Sequence, residues 1–186
     1  HHDDTRNGLV NYPVVADPEG TDLNQAWLQY AGPKGAWLRL GRQRISLDGE
    51  RFVGAVGWRQ NEQTYDAFRI ETKALPGTAL NYAFVDEVQR VFGPDSGAPP
   101  ASLDGASHLL NAKITSLPVG ALTIYGYRLD FGDAPQLSSD TFGARYDGTR
   151  ALGDKLNFGW ALEYARQEDA GDNAAQVERE QVLALH

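Results

Sequence analysis

The 186-residue chain contains no cysteine, which excludes disulfides, thiolate nucleophiles and cysteine-based metal sites. Its formal net charge of −8 argues against nucleic acid as a partner. Hydrophobic residues make up 41% of the chain, and no stretch approaches the ~20 consecutive apolar residues of a membrane-spanning helix. Transmembrane β-strands remain compatible with this composition, because their lipid-facing and lumen-facing residues alternate.

Segments of alternating apolar and polar residues recur from about residue 22 onward, with no helical pattern between them. We therefore expect one all-β domain over residues 1–186 with eight or nine antiparallel strands. The predicted strands are Leu23–Tyr30, Trp37–Ile45, Thr64–Leu75, Ala79–Val91, His108–Leu117, Ala121–Phe131, Thr141–Arg150, Leu156–Arg166 and, as a further candidate, Val177–Leu185.

The connections between these strands alternate in length. Short turns are predicted at 32–35, 76–78, 118–120 and 152–155, and long loops at 46–60, 93–106, 132–139 and 167–176. Short turns at one end and long loops at the other are typical of an up-and-down outer-membrane β-barrel.

The alternation within single strands agrees with a barrel wall. From Leu156 to Tyr164, every even position is large and apolar and every odd position is small or polar. Several aromatic residues fall near strand ends, where an interfacial girdle is expected: Trp27, Tyr30, Trp37, Trp160 and Tyr164. The alternative is a soluble, lipocalin-like antiparallel barrel that buries its apolar face and binds a small ligand.

Two stretches carry a resemblance to a known family. The sequence from Leu38 to Ile45, LRLGRQRI, and the sequence from Gly57 to Ala67, GWRQNEQTYDA, resemble the alginate-export family of outer-membrane porins. The similarity extends over roughly residues 10 to 170. It implies an outer-membrane barrel with an arginine-rich lumen that passes an anionic polysaccharide or a related acid. Since family barrels have about twice as many strands, the resemblance also implies that this chain is a segment of a larger barrel.

Seven basic residues are candidates for the lining of the solute path. Arg39, Arg69, Lys113 and Arg145 lie on the polar parity of four strands, and guanidinium groups suit carboxylates and phosphates. Arg42, Arg44 and Arg59 flank the 46–60 loop. Arg42 and Arg44 have the same parity as Leu38 and Leu40, so regular alternation places them on the apolar face. To belong to the solute path they need a bulge or a position beyond the apolar band.

The 46–60 loop contains Gly49, Gly54 and Gly57, which would let it fold back and narrow the pore. The alternative role for the arginines is to pair with acids and brace the wall without selecting a solute. The candidate acids are Glu62, Asp66, Glu71, Asp147 and Glu163.

An enzyme is not expected, because His108 is the only histidine away from the termini and no nucleophile motif surrounds it. We expect no metal site and no cofactor. The expected partners are outer-membrane lipid, lipopolysaccharide and the anionic solute.

Overall fold

The computed structural model contains nine antiparallel strands in one sheet, ordered as in the chain. It describes residues 3, 7–15, 21–59, 61–94, 100–153, 156–171 and 179–184. The strands are β1 (Ala26–Ala31), β2 (Trp37–Gln43), β3 (Thr64–Leu75), β4 (Thr78–Gln89), β5 (Ser102–Ile114), β6 (Ala121–Leu129), β7 (Ser139–Ala151), β8 (Asn157–Asp169) and β9 (Arg179–Ala184). The helices in the described ranges, Pro33–Gly35 and Pro135–Leu137, are single 3-10 turns, and neither is long and apolar enough to cross a membrane.

This up-and-down order confirms the predicted fold class. The main difference in bounds is at β5, which begins at Ser102 rather than His108 because Ser102 pairs in register with Gln89 of β4. Similarly, β1 begins at Ala26 rather than Leu23. Within the described residues the sheet is open, since β1 and β9 each have one neighbouring strand.

The short turns lie at one end of the sheet, which we call the short-turn end. Between β3 and β4 the chain reverses tightly, with Leu75 opposite Thr78 and Gly77 at φ = 65°. The Gly77 carbonyl then accepts a hydrogen bond of 2.7 Å from the Thr115 N–H in the next turn. Neighbouring hairpins are therefore joined at this end, while the longer connections lie at the opposite, long-loop end.

The two faces of the sheet differ in their surroundings. The described residues between β2 and β3, 44–59 and 61–63, lie against one face, which we call the inner face; Val85, Leu109 and Tyr127 are buried there. On the outer face, Leu28 is 80% exposed and Phe142 is 63% exposed. A continuous face of exposed large apolar side chains is what a lipid-facing barrel wall requires.

The upper limit of the apolar outer face runs diagonally across the strands. One line of register partners is apolar on β2 to β4 and polar from β5 onward: Leu40, Phe68, Phe84, His108, Arg128, Asp140 and Glu168. The next line toward the short-turn end carries no charge before β8: Leu38, Ile70, Tyr82, Leu110, Gly126, Phe142 and Arg166. Such a stepped boundary is expected when the strands of a barrel are tilted relative to the membrane.

Candidate functional site

Residues 44–59 and 61–63 belong to an inward loop that covers part of the inner face. Ile45, Leu47 and Val53 are buried in one apolar cluster with strand residues such as Tyr65 and Val85. The loop is closed on itself by a 3.0 Å hydrogen bond from the Leu47 N–H to the Val53 carbonyl. Its packing therefore resembles that of a small core, which fixes the position of the loop on the wall.

The tip of the inward loop has an unusual backbone. Asp48, Gly49 and Glu50 follow one another with φ values of 50°, 78° and 64°. Glycine adopts this left-handed region freely, and aspartate tolerates it better than most residues. The turn directs the Asp48 carboxylate toward the sheet.

Asp48 is the first anchor of the inward loop. Its Oδ2 accepts a 2.6 Å hydrogen bond from Asn111 Nδ2 on β5 and a hydrogen bond from the Tyr127 hydroxyl on β6. Asn111 and Tyr127 are also bonded to each other, at 3.2 Å. Since hydrogen bonds to a charged group are stronger than neutral ones, this contact holds the loop tip against the wall.

Glu163 on β8 is the second anchor. It is buried, accepts a 2.6 Å hydrogen bond from the Tyr125 hydroxyl, and lies 3.3 Å from Arg145 Nη1. From the loop, Arg51 brings Nη1 to 3.7 Å from the same carboxylate, and the Phe52 ring packs 5.9 Å from that of Tyr125. The loop is thus bound to the wall from β5 to β8.

The base of the loop is held by β3. The Tyr65 hydroxyl donates to the Gly54 carbonyl at 2.7 Å, and Gln63 Nε2 donates to the same carbonyl at 3.0 Å. These two bonds satisfy the buried Gly54 carbonyl, a backbone acceptor of the loop.

Arg39 and Arg69 lie side by side on the inner face, on β2 and β3. The Trp37 ring contacts both guanidinium groups, at 5.1 and 5.0 Å, and Trp27 contacts Arg39 at 4.1 Å. Arg39 also donates to Gln29 Oε1 at 3.0 and 2.6 Å. Trp27 and Trp37 therefore do not belong to an outer girdle, and that part of the sequence prediction is wrong: their parity is that of Arg39.

The other two inner-face candidates differ in pairing. Arg145 lies near Glu163 and also 3.4 Å from Asp147. Lys113 on β5 is exposed. Of the four strand candidates on the inner face, Arg39 and Lys113 have no described carboxylate within 4.0 Å, whereas Arg69 and Arg145 do. Arg69 and Arg145 are thus paired with acids, as the bracing role requires, while the lining of a solute path by Arg39, Arg69, Lys113 and Arg145 stays a prediction.

Lys113 lines an open recess of about 530 Å³ at the short-turn end of the inner face. Its lining combines apolar residues such as Leu75 and Ala79 with polar and charged ones: Glu71, Lys73, Thr78, Asn81, Asn111, Lys113 and Thr115. Asn81, in the lining of the recess, accepts a 3.2 Å hydrogen bond from Arg69 Nε through Oδ1, so its Nδ2–H groups point away from Arg69. A polar solute crossing the inner face would meet hydrogen-bond donors here.

Arg42 does not lie on the inner face; of the two positions expected for it, a bulge or a place beyond the apolar band, it takes the second. It keeps the outer parity of Leu38 and Leu40 because no bulge intervenes in its pairing with β3. There it forms a bidentate pair with Asp66, at 2.9 and 2.8 Å. This pair lies beyond the apolar residues, at the long-loop end.

Arg44 and Arg59 lie at the two ends of the inward loop. Arg44 pairs with Glu62, which also accepts a 2.8 Å hydrogen bond from Asn24. The Arg59 guanidinium lies 4.5 Å from the Trp58 ring, and its Nε and Nη1 are buried with no hydrogen-bond partner among the described residues. Neither residue is brought near Arg39, Arg69 or Arg145 by any contact among the described residues.

In the part of the chain that the structure describes, no group of three His, Asp or Glu side chains is arranged to hold a metal ion. The inward loop's contacts with Asn111, Tyr125 and Tyr127 were not predicted from sequence. The sequence showed only that these three residues carry polar groups on their strands, which does not identify the inward loop as their partner.

The alginate export family matches residues 2–93 of the chain. No curated protein shows significant sequence similarity to it.

Three solved structures from Pseudomonas aeruginosa share the fold. OpdL superposes with a TM-score of 0.57 at 16% identity, over 80% of this chain and 40% of its own. The outer membrane protein OpdK gives a TM-score of 0.55 at 17% identity, over 78% and 38%, and OccD3 (OpdP) gives 0.55 at 12% identity, over 78% and 35%. The chain thus spans about two fifths of the length of the proteins it matches.

Proposed function

Because the chain resembles a segment of an alginate-export porin of the bacterial outer membrane, we propose that it forms part of the wall of a channel for polar, anionic solutes. The solutes are acidic polysaccharides or organic acids. The inward loop narrows the pore, and no chemistry is performed on the solute.

The observation that carries this proposal is the inward loop itself. It lies on the face opposite the exposed apolar one, and charged groups fix it there through Asp48 and Glu163. A loop folded against the inside of a lipid-facing wall reduces the cross-section of the lumen. The charges on it and beneath it then act on whatever passes.

The anionic preference rests on Arg39 and Lys113, whose charges are not neutralised by a described carboxylate within 4.0 Å. Arg69 and Arg145 share acids with their neighbours, so they contribute less field and more rigidity. Arg39 additionally presents its guanidinium between indole rings, a surface suited to a sugar ring that carries a carboxylate.

The lipocalin-like alternative is disfavoured by the outer face. A soluble barrel of that type buries its large apolar side chains, whereas Leu40, Leu110 and Phe142 are exposed on the side away from the inward loop. Contact with lipid removes this surface from water.

The test is the reversal potential of the complete barrel in a planar bilayer under a salt gradient. The double variant Arg39→Gln/Lys113→Gln is compared with Arg150→Gln, which removes one exposed charge at the short-turn end on the outer parity of Tyr146. We expect the anion-to-cation permeability ratio to fall about threefold or more in the double variant, since each lumenal charge acts in a low-dielectric passage.

Arg150→Gln should leave this ratio at the wild-type value. An unchanged ratio in the double variant would contradict anion selection by these residues. Absence of discrete conductance steps from a folded, inserted barrel would contradict the channel itself.

A further inference from the structure

The recess at the short-turn end of the inner face lies directly beside the tip of the inward loop. It extends from Asn111, which donates a hydrogen bond to Asp48 of the loop tip, to the turn at Gly77. Its volume of about 530 Å³ falls within the usual range of small-molecule sites, roughly 300–1,000 Å³. The recess therefore occupies the part of the wall between the inward loop and the short turns.

Lys113 gives the recess a positive charge that no described carboxylate neutralises at close range. Its side chain is exposed, and its register partners, Ala79 on β4 and Thr123 on β6, are uncharged. An ammonium group is a compact point charge with several donors, and it suits a carboxylate oxygen.

The acids nearest to Lys113 do not outweigh this charge. Glu71 is shared by two cations, since it lies 3.9 Å from Arg69 Nη2 and 3.7 Å from Lys73 Nζ. The other nearby carboxylate is that of Asp48, which is held by hydrogen bonds at the edge of the recess. Three cations thus face two carboxylates, and the recess carries a net positive charge.

The acids further along the inner face have cations of their own. Glu163 lies near both Arg145 and Arg51, and Asp147 lies 3.4 Å from Arg145. These groups balance one another on β7 and β8, so they leave the charge of Lys113 in place.

Asn81 adds uncharged donors to the recess. It lies on the same face of β4 as Ala79, the register partner of Lys113. Because its Oδ1 accepts the hydrogen bond from Arg69, its Nδ2–H groups are available to a ligand in the recess. An anion bound to Lys113 would therefore also meet neutral hydrogen-bond donors.

The lining opposite these groups is apolar. It consists of Leu75, Gly77 and Ala79, and Leu75 is 56% exposed at the end of β3. A leucine side chain left facing a water-filled lumen gains free energy when an apolar part of a ligand covers it. A solute with hydroxyl groups along its whole length would not provide that cover.

We propose that the recess binds organic monocarboxylates that carry an apolar chain. The carboxylate contacts Lys113 and Asn81, and the chain covers Leu75 and Ala79. The inference rests on the channel function proposed above, and it assigns organic acids rather than acidic polysaccharides to this site.

The experiment measures binding of hexanoate to the complete barrel protein in nonionic micelles at neutral pH. Broadening of the ligand proton signals in an NMR titration reports the affinity, with empty micelles as the blank. Gluconate is the matched probe, because it has the same number of carbon atoms and one carboxylate but a hydroxylated chain. We expect hexanoate to bind about tenfold more tightly than gluconate, since burial of apolar surface favours hexanoate alone.

Three variants locate the site. Lys113→Gln should weaken hexanoate binding about tenfold or more, because the charged contact is lost. Leu75→Asn should weaken hexanoate binding about threefold and leave gluconate binding as it is. Lys34→Gln is the matched control, since it removes an exposed lysine from the turn between β1 and β2, outside the lining of the recess.

Wild-type affinity for hexanoate in Lys113→Gln would overturn the proposal, and so would an equal loss in Lys34→Gln. Gluconate binding as tight as that of hexanoate would overturn the assigned class of ligand. Reversal potentials in a planar bilayer test the channel separately. An anion-selective wild type that does not bind hexanoate would refute the recess site and leave the channel proposal standing, whereas hexanoate binding without anion preference would do the reverse.

Discussion

Arg145 and Glu163 face each other across β7 and β8, with the arginine Nη1 3.3 Å from the Oε2 of the buried glutamate. The same carboxylate accepts a hydrogen bond from the Tyr125 hydroxyl and attracts the guanidinium of Arg51 in the inward loop. One buried acid therefore neutralises part of the positive inner face and connects the loop to the wall. Its removal should change both ion selectivity and loop position.

We expect Glu163→Gln to increase the anion-to-cation permeability ratio about threefold, because Arg145 and Arg51 lose the negative charge that compensates them. Glutamine retains an acceptor for the Tyr125 hydroxyl, so the fold is preserved. Reversal potentials measure the ratio, and Glu168→Gln on the outer face is the control. A ratio that stays constant or falls would show that Glu163 does not influence the passing ions.

Asp48→Ala should release the tip of the inward loop. Asn111 and Tyr127 lose a charged acceptor, and such hydrogen bonds contribute about 1.5–3 kcal/mol each. We expect cleavage by trypsin after Arg51 to become about tenfold faster, together with a larger single-channel conductance. Glu50→Ala alters the same turn without touching Asn111 or Tyr127, and it should behave as the wild type. Equal cleavage rates in the two variants would contradict the anchoring role of Asp48.

Gly143→Ala should destabilise the barrel by about 1–3 kcal/mol, the usual cost of overpacking. A Cβ on Gly143 would fall inside contact distance of the Tyr125 ring, its register partner on β6. At Gly159 the nearest neighbouring atom would be 3.9 Å away, so Gly159→Ala should be nearly neutral. Urea unfolding in lipid vesicles measures both. Similar losses in the two variants would mean that the Tyr125 ring has room to move.

The assignment of faces can be tested with two identical substitutions on neighbouring strands. Ala112 lies on the outer face between Leu80 and Ile124, whereas Ala79 lines the recess at the short-turn end of the inner face. Ala112→Arg should cost about 2–4 kcal/mol of folding free energy in a bilayer, as for a charge on the lipid side of a barrel. We expect Ala79→Arg to cost less than about 1 kcal/mol of folding free energy, since the guanidinium of the new side chain reaches water. A larger cost at Ala79 would reverse the two faces.

The strand order and the faces of most residues could be predicted because period-two patterning acts over neighbouring residues. In β8, for example, alternation alone places Trp160 and Leu162 opposite to Glu163. The prediction that Trp27 and Trp37 belong to an outer girdle is wrong because it used their closeness to strand ends. The alternation of side chains along a strand decides which face they lie on. Trp37 is two residues from Arg39, and strand geometry puts the two on one face.

The anchoring of the inward loop could not be predicted from the sequence, for a different reason. Asp48 and Tyr127 are 79 residues apart, and no local pattern specifies which of several polar residues a loop carboxylate reaches. Glycines indicate that a loop is able to fold inward, but its partner depends on the register of strands formed elsewhere. The pairing of Arg145 with Glu163 was foreseeable only as one of several combinations.

Within the described residues, β1 and β9 each leave one edge unpaired, and these two edges constrain how a ring is completed. In a meander every odd-numbered strand runs the same way, so β1 and β9 point in the same direction. A strand that pairs antiparallel with β1 and another that pairs antiparallel with β9 must both run opposite to them. Antiparallel closure therefore requires an odd number of additional strands. A ring made only of copies of these nine strands would contain a parallel seam at every junction, a pairing that outer-membrane barrels with even strand numbers avoid.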